Sequence, residues 1–246
     1  MEDFCIRLAG IPVRVRCRYV ENRVFLQGYF TEEAPLFTIE PSIEDLEKIQ
    51  RDINLLEKGE NRRKEVFLEN NALHAMLAEG LAEHHVLLMH GSALSMDGSG
   101  YIFTAPSGEG KSTHARLWRQ VFGDRVQMIN DDKPMIRTDE MRVYGTPWNG
   151  KHCLGRNISA PLKAIIWLKR GKENLIEPVS RVEAFPLLVQ QAFQSENADT
   201  MKRIIGMEKK MVECIRFYRM RCTATPNAAR TAWKGIVKGY GSDADE

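Results

Sequence analysis

The sequence predicts an α/β protein in which a mixed β-sheet with helices outside follows a smaller N-terminal subdomain. A strand-like run, a glycine-rich turn and an amphipathic helix follow one another over residues 101–122. A nearly continuous apolar run at 162–168 is typical of a central strand. We therefore expect residues 1–83 to form a subdomain of a β-hairpin and helices. Residues 84–238 are expected to form the core, and residues 239–246 a loose tail.

The composition and charge exclude several classes of partner. The 246 residues contain 35 Lys and Arg against 33 Asp and Glu, a formal net charge of +2. A net charge this small creates no electrostatic field that would favour binding to nucleic acid or to an anionic membrane. No apolar run approaches the roughly 20 residues that span a bilayer, and the first residues carry acids where a secretory signal needs bases. Five scattered cysteines without a C-x-x-C pair favour reduced thiols in a cytoplasmic protein.

The N-terminal subdomain is predicted to open with a β-hairpin. Apolar residues alternate with arginines over residues 11–19, a period of two that is typical of a half-exposed strand. Glu21 and Asn22 are expected to turn the chain back into a second, antiparallel strand at 24–30.

Two helices are predicted to complete this subdomain. The first begins at Ser42, which forms a capping-box pair with Asp45, and it ends at the Lys-Gly pair at 58–59. A charged linker at 60–65 then leads to a second helix over about 66–83.

The core is predicted to begin with a buried strand at 86–89 that leads to His90. Residues 93–96 and 101–104 are strand-like, and the Asp-Gly-Ser-Gly cluster at 97–100 is a turn between them. The resulting antiparallel hairpin is expected to carry His90 towards the loop that follows its second strand. The alternative for His90 is a buried histidine whose ring is satisfied by backbone groups at a strand end.

Residues 105–112, which read A-P-S-G-E-G-K-S, have the pattern of a phosphate-binding loop. Gly108 and Gly110 let backbone N–H groups turn inward around a polyphosphate, and the helix N-terminus adds partial positive charge. Lys111 is expected to reach the β- and γ-phosphates, and Ser112 to offer its hydroxyl to Mg²⁺. Ala105 replaces the usual first glycine, and a surface loop that happens to read G-K-S is the alternative. The predicted nucleotide-binding residues are Ser107, Gly108, Glu109, Gly110, Lys111, Ser112 and Thr113.

Two acidic residues follow the next predicted strand, at 126–129. Acids at the end of a core strand, downstream of a phosphate loop, are placed where a Mg²⁺ ligand and a catalytic base belong. Because consecutive side chains of a strand point to opposite sides, Asp131 and Asp132 are predicted to have different roles if the strand continues through them. A solvated acidic turn is the alternative.

The loop at 145–151 reads G-T-P-W-N-G-K, a composition too unusual for a simple connecting loop. Lys151 and Arg156 are candidates for holding phosphate or substrate. The remaining elements are a helix capped by Ser180 and Glu183 with Val182 facing inward, a helix at 199–213, a strand at 215–222 and a last helix from Pro226.

Three motifs, taken in order along the chain, resemble a known family. They are Met89-His90-Gly91-Ser92-Ala93, then Ser107-Gly108-Glu109-Gly110-Lys111-Ser112, then Asp131-Asp132. This order resembles the C-terminal catalytic domain of HPr kinase/phosphorylase, and it recurs in the phosphoenolpyruvate carboxykinase core, which has a similar fold. The resemblance covers residues 87–136 well and the rest loosely. It implies that the core is a P-loop kinase fold of this type.

The resemblance also implies roles for individual residues. Lys111 matches the phosphate-binding lysine, and Ser112 matches the magnesium-binding hydroxyl. Asp132 matches the aspartate that takes the proton from the acceptor hydroxyl, and its neighbour Asp131 would then hold magnesium through water or brace the loop. His90 matches an active-site histidine of the kinase and a metal ligand of the carboxykinases.

Two departures separate the sequence from the HPr enzymes. No counterpart of their E-I-R-G signature follows the aspartates, and residues 1–83 do not look like their N-terminal domain. Residues 145–151 are instead similar to a block in shorter relatives of that kinase. HPr itself as substrate and a reverse phosphorylase activity are therefore not implied.

The resemblance implies an ATP- and Mg²⁺-dependent kinase that transfers the γ-phosphoryl group to a hydroxyl of a protein, a peptide or a small molecule. One alternative is a nucleotide-binding regulatory module without transfer activity. The other is a carboxykinase-like lyase. The 246 residues leave too little length for the large extra lobe of those enzymes, which argues against this alternative. A homo-oligomer is left open.

Overall fold

The computed structural model describes residues 1–52 and 61–241 and divides the chain into two compact units, Met1–His84 and His85–Glu246. The protein is a mixed α/β structure whose larger sheet combines parallel and antiparallel strands and is flanked by helices. Within the two described ranges, no helix has both the length and the apolar character that crossing a membrane requires.

The described residues of the first unit, 1–52 and 61–84, form a three-stranded sheet and three α-helices. The strands are β1 (Glu2–Leu8), β2 (Ile11–Cys17) and β3 (Phe37–Ile39), and the helices are α1 (Val20–Leu26), α2 (Ile43–Asp52) and α3 (Arg62–Ala82). β1 and β2 are antiparallel, and β3 lies parallel to β2.

The predicted hairpin exists with a different partner strand. β2 pairs with β1 through a turn at Ala9 and Gly10, whose φ angles of 48° and 80° suit a tight hairpin turn. The predicted strand at 24–30 is wrong, because α1 continues to Leu26 and a 3-10 helix follows over Gln27–Tyr29. Buried Glu69 accepts hydrogen bonds from the backbone of Arg18 at 2.7 Å and from the Asn22 amide at 2.8 Å. This contact with α3 is remote in sequence, so the local pattern does not reveal it.

The helices of the first unit follow the predicted order with different ends. The capping box is confirmed, since the Ser42 backbone donates to Asp45 at 2.8 Å and the Asp45 backbone donates to Ser42 Oγ at 3.2 Å. The predicted end of this helix at 58–59 lies outside the described residues. α3 begins earlier than predicted because the Asn61 side chain accepts from Arg63 N at 3.0 Å, so most of the charged linker is helical.

The second unit is built on a nine-stranded sheet. Its strands are β4 (Val86–Leu88), β5 (Ser92–Met96), β6 (Ser99–Thr104), β7 (Val126–Asn130), β8 (Met135–Arg137), β9 (Arg142–Tyr144), β10 (Ser159–Arg170), β11 (Leu175–Val179) and β12 (Arg216–Cys222). The main path runs β4-β8-β9-β10-β6-β5-β7, with β12 beside β10 and β11 beside β12. The prediction of a central strand at 162–168 is confirmed, because β10 pairs with β9, β6 and β12.

Residues 85–241, the described part of this unit, also form four α-helices. They are α4 (Lys111–Phe122), α5 (Arg181–Val189), α6 (Ala198–Cys214) and α7 (Pro226–Gly241). The expected loose tail is wrong at its start, since α7 continues through residues 239–241, and 242–246 lie outside the described residues. Val182 was predicted to face inward but is 85% exposed, because α5 turns only Ala184 and Leu188 fully into the core.

An aromatic cluster fixes α4 against the sheet. Trp118 of α4 contacts Phe103 of β6 with ring centroids 5.3 Å apart and Trp233 of α7 with centroids 6.0 Å apart. Trp118 and Phe103 are fully buried. A helix anchored in this way holds its first turn, and therefore Lys111, at a defined place relative to the end of β6.

Candidate functional site

Strand direction brings the candidate catalytic residues to one edge of the larger sheet. β6 and β7 both run antiparallel to β5, so their C-terminal ends lie beside the N-terminal end of β5. His90 precedes β5, Lys111 follows β6 and its loop, and Asp131 and Asp132 follow β7. Three segments that are distant in sequence therefore meet at this edge.

The glycine-rich loop connects β6 to α4 and depends on two left-handed glycines. Gly108 has φ +83° and Gly110 has φ +102°. A Cβ on Gly108 would meet nothing within 4 Å, and one on Gly110 would meet only the Thr113 Cβ at 4.0 Å. Backbone conformation, rather than lack of space, is therefore the reason for glycine here. Gly110 is the N-cap of α4, and its carbonyl accepts from His114 N at 2.8 Å.

The other predicted phosphate-binding residues differ in exposure. Ser107 and Ser112 are exposed, whereas Glu109 and Thr113 are half-buried. Glu109 Oε2 accepts from the backbone N–H of Arg170 at 3.0 Å, and the Arg170 guanidinium donates to the Gly108 carbonyl. The end of β10 thus holds the tip of the loop.

Lys111 is nearly buried, with 8% of its surface exposed. Its Nζ donates to the carbonyls of Ala105 at 2.9 Å and Pro106 at 3.3 Å. Burial is the main influence and lowers the pKa of Lys111, while the charges of Asp132 and Asp131 raise it. The ammonium group therefore lies within the electric field of both carboxylates.

His90 lies between two side chains of the second unit. Its Nδ1 is 3.2 Å from Gln191 Oε1, and its Nε2 is 3.4 Å from Asp132 Oδ1. A carbonyl oxygen only accepts, so Nδ1 carries a proton and Nε2 faces the carboxylate. Burial lowers the pKa of His90, Lys111 and Lys133 lower it further, and Asp132 opposes them. The ring bonds to side chains rather than to the backbone.

Gln191 was not predicted as a site residue. It lies in the segment after α5, and its backbone carbonyl accepts from His90 N at 2.8 Å. No local motif marks Gln191, because only the folded sheet brings it to His90.

Asp131 is buried and only half satisfied. It is 4% exposed, and its Oδ1 accepts from Ser92 Oγ at 2.9 Å. Its Oδ2 is buried and has no hydrogen-bond partner among the described residues. A Cβ on Gly150 would lie 3.1 Å from this oxygen, so the glycine allows the loop to close over the carboxylate.

Asp132 lies in a turn, not in a strand. β7 ends at Asn130, whose Oδ1 accepts from Asp132 N at 2.8 Å and from Lys133 N at 2.7 Å. The condition of a strand that continues through both aspartates is therefore not met. The two residues differ in burial instead, since the Asp132 side chain is 37% exposed and Asp131 is buried.

Asn130 ties this turn to the next loop and was also missing from the predicted site. Its buried amide Nδ2 donates to Thr146 O at 3.1 Å, Thr146 Oγ1 at 3.0 Å and Trp148 O at 3.2 Å. Thr146 Oγ1 in turn donates to Lys133 O at 2.8 Å. One asparagine therefore sets the position of both segments, which explains the special composition of the 145–151 loop.

Lys151 and Arg156 lie on the surface at the far end of this loop. Both side chains are exposed, and neither bonds to Lys111 or Asp132 among the residues that the structure describes. The Arg156 backbone donates to Ile129 O at 3.0 Å, which places its main chain beside the end of β7.

The donors at this edge fit magnesium that arrives with a polyphosphate. Across the described part of the chain, no group of three or more His, Cys, Asp or Glu is arranged to hold a metal ion. The orphaned Asp131 Oδ2 and the exposed Ser112 hydroxyl are oxygen donors. Mg²⁺ is usually held through one or two carboxylates together with substrate phosphates and water, which this donor set can provide.

A family model establishes what the chain is related to. The model described as "SynChlorMet cassette protein ScmC" matches residues 54–230. The chain belongs to the ScmC family. In this ScmC family member, the match includes the glycine-rich loop, His90, both aspartates and the end of β12.

Other comparisons are weaker. No curated protein matches the sequence. Among solved structures, the "Hpr(Ser) kinase/phosphatase from Coxiella burnetii" is similar with 10% sequence identity and a TM-score of 0.32, over 65% of this chain and 99% of that chain. The relationship of this ScmC family member to that enzyme is distant, and a TM-score this low carries no argument about activity.

Proposed function

We propose that the chain is an ATP-dependent phosphotransferase that moves the γ-phosphoryl group to a hydroxyl acceptor. The observation that carries this proposal is that strand direction brings Lys111, Asp131 and Asp132 to one edge of the sheet, next to the glycine-rich loop. A buried cation, a buried carboxylate and a partly exposed carboxylate at one edge suit phosphoryl transfer to an alcohol, which depends on positioning and electrostatics.

The loop and α4 would bind the phosphates. The first N–H groups of a helix have no partner within the helix and attract anions. Gly110 as N-cap leaves these groups without a side-chain cap. Lys111 would leave the Ala105 and Pro106 carbonyls to contact the β- and γ-phosphates, whose charge is the stronger partner.

Asp132 is the proposed general base. Its carboxylate is partly exposed, so an acceptor hydroxyl can approach it, whereas the Asp131 side chain is buried and has one oxygen bonded to Ser92. Gln191 fixes the His90 ring by accepting from Nδ1, which leaves the unprotonated Nε2 3.4 Å from Asp132 Oδ1. Nε2 would accept a hydrogen bond from Asp132 once that carboxylate has taken the proton of the acceptor hydroxyl.

Asp131 and Ser112 are the proposed magnesium ligands. Ser92 donates a hydrogen bond to one Asp131 oxygen, and the other, Oδ2, accepts none from the described residues. Bound Mg²⁺ would neutralise charge on the phosphate oxygens.

The acceptor would approach over the 145–156 segment. Asn130 fixes the base of this loop, and Lys151 and Arg156 are the exposed cations at its far end. These two residues are proposed to contact the acceptor, which is a protein or peptide serine or a small molecule. Either class presents the same hydroxyl to Asp132.

Transfer from γ-labelled ATP tests this function. Wild-type protein with Mg²⁺ is incubated with cell lysate, and labelled proteins and metabolites are identified by mass spectrometry, with Lys111→Ala as the matched control. We expect a labelled hydroxyl compound with wild type only. Binding of MgATP without any transfer or ATP turnover would instead favour the nucleotide-binding module.

A further inference from the structure

A cavity of about 330 Å³ lies next to the glycine-rich loop. It lies at the C-terminal ends of β6, β10 and β12, which run parallel to one another. Gly110, Thr113 and Leu117 contribute to one wall, and Gly171 and Ala224, which follow β10 and β12, contribute to the other. The crevice beyond the carboxyl ends of parallel strands is where α/β sheets bind ligands.

The charged groups at this cavity already have partners. Glu109 accepts from the Arg170 backbone, and the Arg170 guanidinium donates to the Gly108 carbonyl. Thr223 donates from its backbone to Asn174 Oδ1 at 2.9 Å. What remains for a ligand are small and apolar side chains and backbone groups, which suit an uncharged ring system rather than an anion.

His114 provides an unused hydrogen-bond donor in the cavity lining. Its Nε2 lies 3.1 Å from Trp118 Nε1, and because an indole N–H only donates, Nε2 must accept. Burial lowers the pKa of His114 to about 3, so the ring is neutral near pH 7 and its one proton is on Nδ1. The ring is 2% exposed, and Nδ1 has no partner among the described residues. The neutral His114 therefore adds no charge to the cavity lining, in keeping with an uncharged occupant.

The cavity and the proposed phosphate site share residues. Gly110 and Thr113 belong both to the cavity wall and to the start of α4. We propose that this cavity holds the nucleoside part of the nucleotide whose phosphates bind at the loop. The inference rests on the proposed function. The cavity volume is near the lower end of the roughly 300–1,000 Å³ of small-molecule sites, which suits part of a ligand with its phosphates outside.

The test compares a nucleotide with its phosphates alone. MgATP and magnesium tripolyphosphate are titrated calorimetrically into wild type, Ala224→Trp, Asn227→Trp and Lys111→Ala. Ala224 is exposed on the cavity wall, so tryptophan there can fill the cavity without entering the core. Asn227 is exposed nearby but does not line the cavity, and it is the matched control.

We expect Ala224→Trp to weaken MgATP binding about tenfold, or about 1.4 kcal/mol, and to leave tripolyphosphate binding unchanged. Asn227→Trp should bind both as wild type does, and Lys111→Ala should lose both. As a second measurement, 8-azido-ATP is photolysed on wild type and the labelled peptide is identified. Label within 109–117, 170–174 or 222–224 supports the proposal. Should Ala224→Trp bind as wild type does or fail to fold, the position of the label decides the question.

Two results would overturn the inference and can be told apart. If wild type binds MgATP and the label lies outside these segments, the nucleoside site is wrong while the phosphate site stands. If wild type binds neither MgATP nor tripolyphosphate, the proposed function fails as well.

Discussion

Replacing Asn130 by aspartate or alanine should destabilise the protein strongly, and aspartate should be the worse of the two at pH 7. The Asn130 amide is fully buried and donates to the oxygens of Thr146 and Trp148, while its carbonyl accepts from Asp132 N and Lys133 N. Aspartate has the same shape but places a carboxylate oxygen where the amide donates. That oxygen then faces two carbonyls and a hydroxyl.

The magnitude follows from the bonds that are lost. Alanine leaves the Asp132 and Lys133 N–H groups without their side-chain partner and removes one donor each from Thr146 O and Trp148 O, which keep Asn149 Nδ2 and Thr146 Oγ1 as donors. Each net hydrogen bond contributes about 0.5–1.5 kcal/mol, and buried unpaired groups cost about 1–3 kcal/mol. The free energy of unfolding should therefore fall by about 3–5 kcal/mol. For a chain of this size, this corresponds to a Tm about 6–20 °C lower.

Urea unfolding at pH 7 and pH 5 measures both variants, with exposed Asn227→Asp as the control that should change little. Protonation of the new aspartate supplies one O–H donor, so the deficit of Asn130→Asp should shrink at pH 5 while that of Asn130→Ala stays constant. Wild-type stability of Asn130→Asp at pH 7 would refute the assigned amide orientation and the network built on it.

Three further predictions follow from the structure. MgATP at about 100 times its Kd should stabilise wild type by about 2.7 kcal/mol, and Lys111→Ala should lose most of this thermal shift; an equal shift in both would remove the loop as the binding site. Gly110→Ala should lower the free energy of unfolding by about 1–2 kcal/mol, because the φ of +102° is strained for alanine although a Cβ would meet no close neighbour. Gly206→Ala in the exposed middle of α6 should instead raise it by about 0.5–1 kcal/mol. Equal effects of the two variants in denaturant melts would contradict the strain at Gly110. Burial raises the pKa of Glu208 from 4.5 to about 7, so the contribution of its protonated carboxyl to stability is present below about pH 4.5 and is lost as the pH rises through 7. The free energy of unfolding of Glu208→Gln should therefore rise by roughly 2–3 kcal/mol relative to wild type between pH 5 and pH 8. Parallel pH profiles of the two proteins would show that the carboxyl is not buried.

The parts of the fold that follow from local pattern were predictable from the sequence. The hairpin of β5 and β6 is encoded by two strand-like runs around an Asp-Gly turn, and β10 by its nearly continuous apolar run. The capping box at Ser42 and Asp45 is likewise a local signal. These elements depend on neighbours in the chain, so a pattern in the chain reveals them.

The errors occur where a distant contact decides the structure. The 24–30 segment lies next to a hairpin-like pattern, yet the chain after β2 is held by Glu69, which bonds to the Arg18 backbone and the Asn22 amide. Exposed Val182 shows the same limitation, because helical periodicity identifies an apolar stripe but not which part of it finds a neighbour.

The candidate site divides in the same way. Lys111 and the two aspartates belong to local motifs, so their types and spacing could be interpreted directly. Gln191 and Asn130 support His90 and the aspartate turn through side-chain hydrogen bonds. Their partners are assembled only when the sheet forms, so sequence spacing does not indicate them.

The turnover of ATP by Asp132→Asn tests the central claim most directly. Release of labelled phosphate from γ-labelled ATP, with water as acceptor, is compared among wild type, Asp132→Asn and Asp131→Asn, and the MgATP Kd is measured for each. The asparagine keeps the shape and hydrogen bonding of Asp132 and removes its basicity, so the rate should fall by about 10²- to 10⁴-fold while Kd stays within a few-fold. Asp131→Asn should chiefly raise the magnesium concentration required, because it alters the proposed metal ligand. Turnover by Asp132→Asn at the wild-type rate would contradict Asp132 as the base.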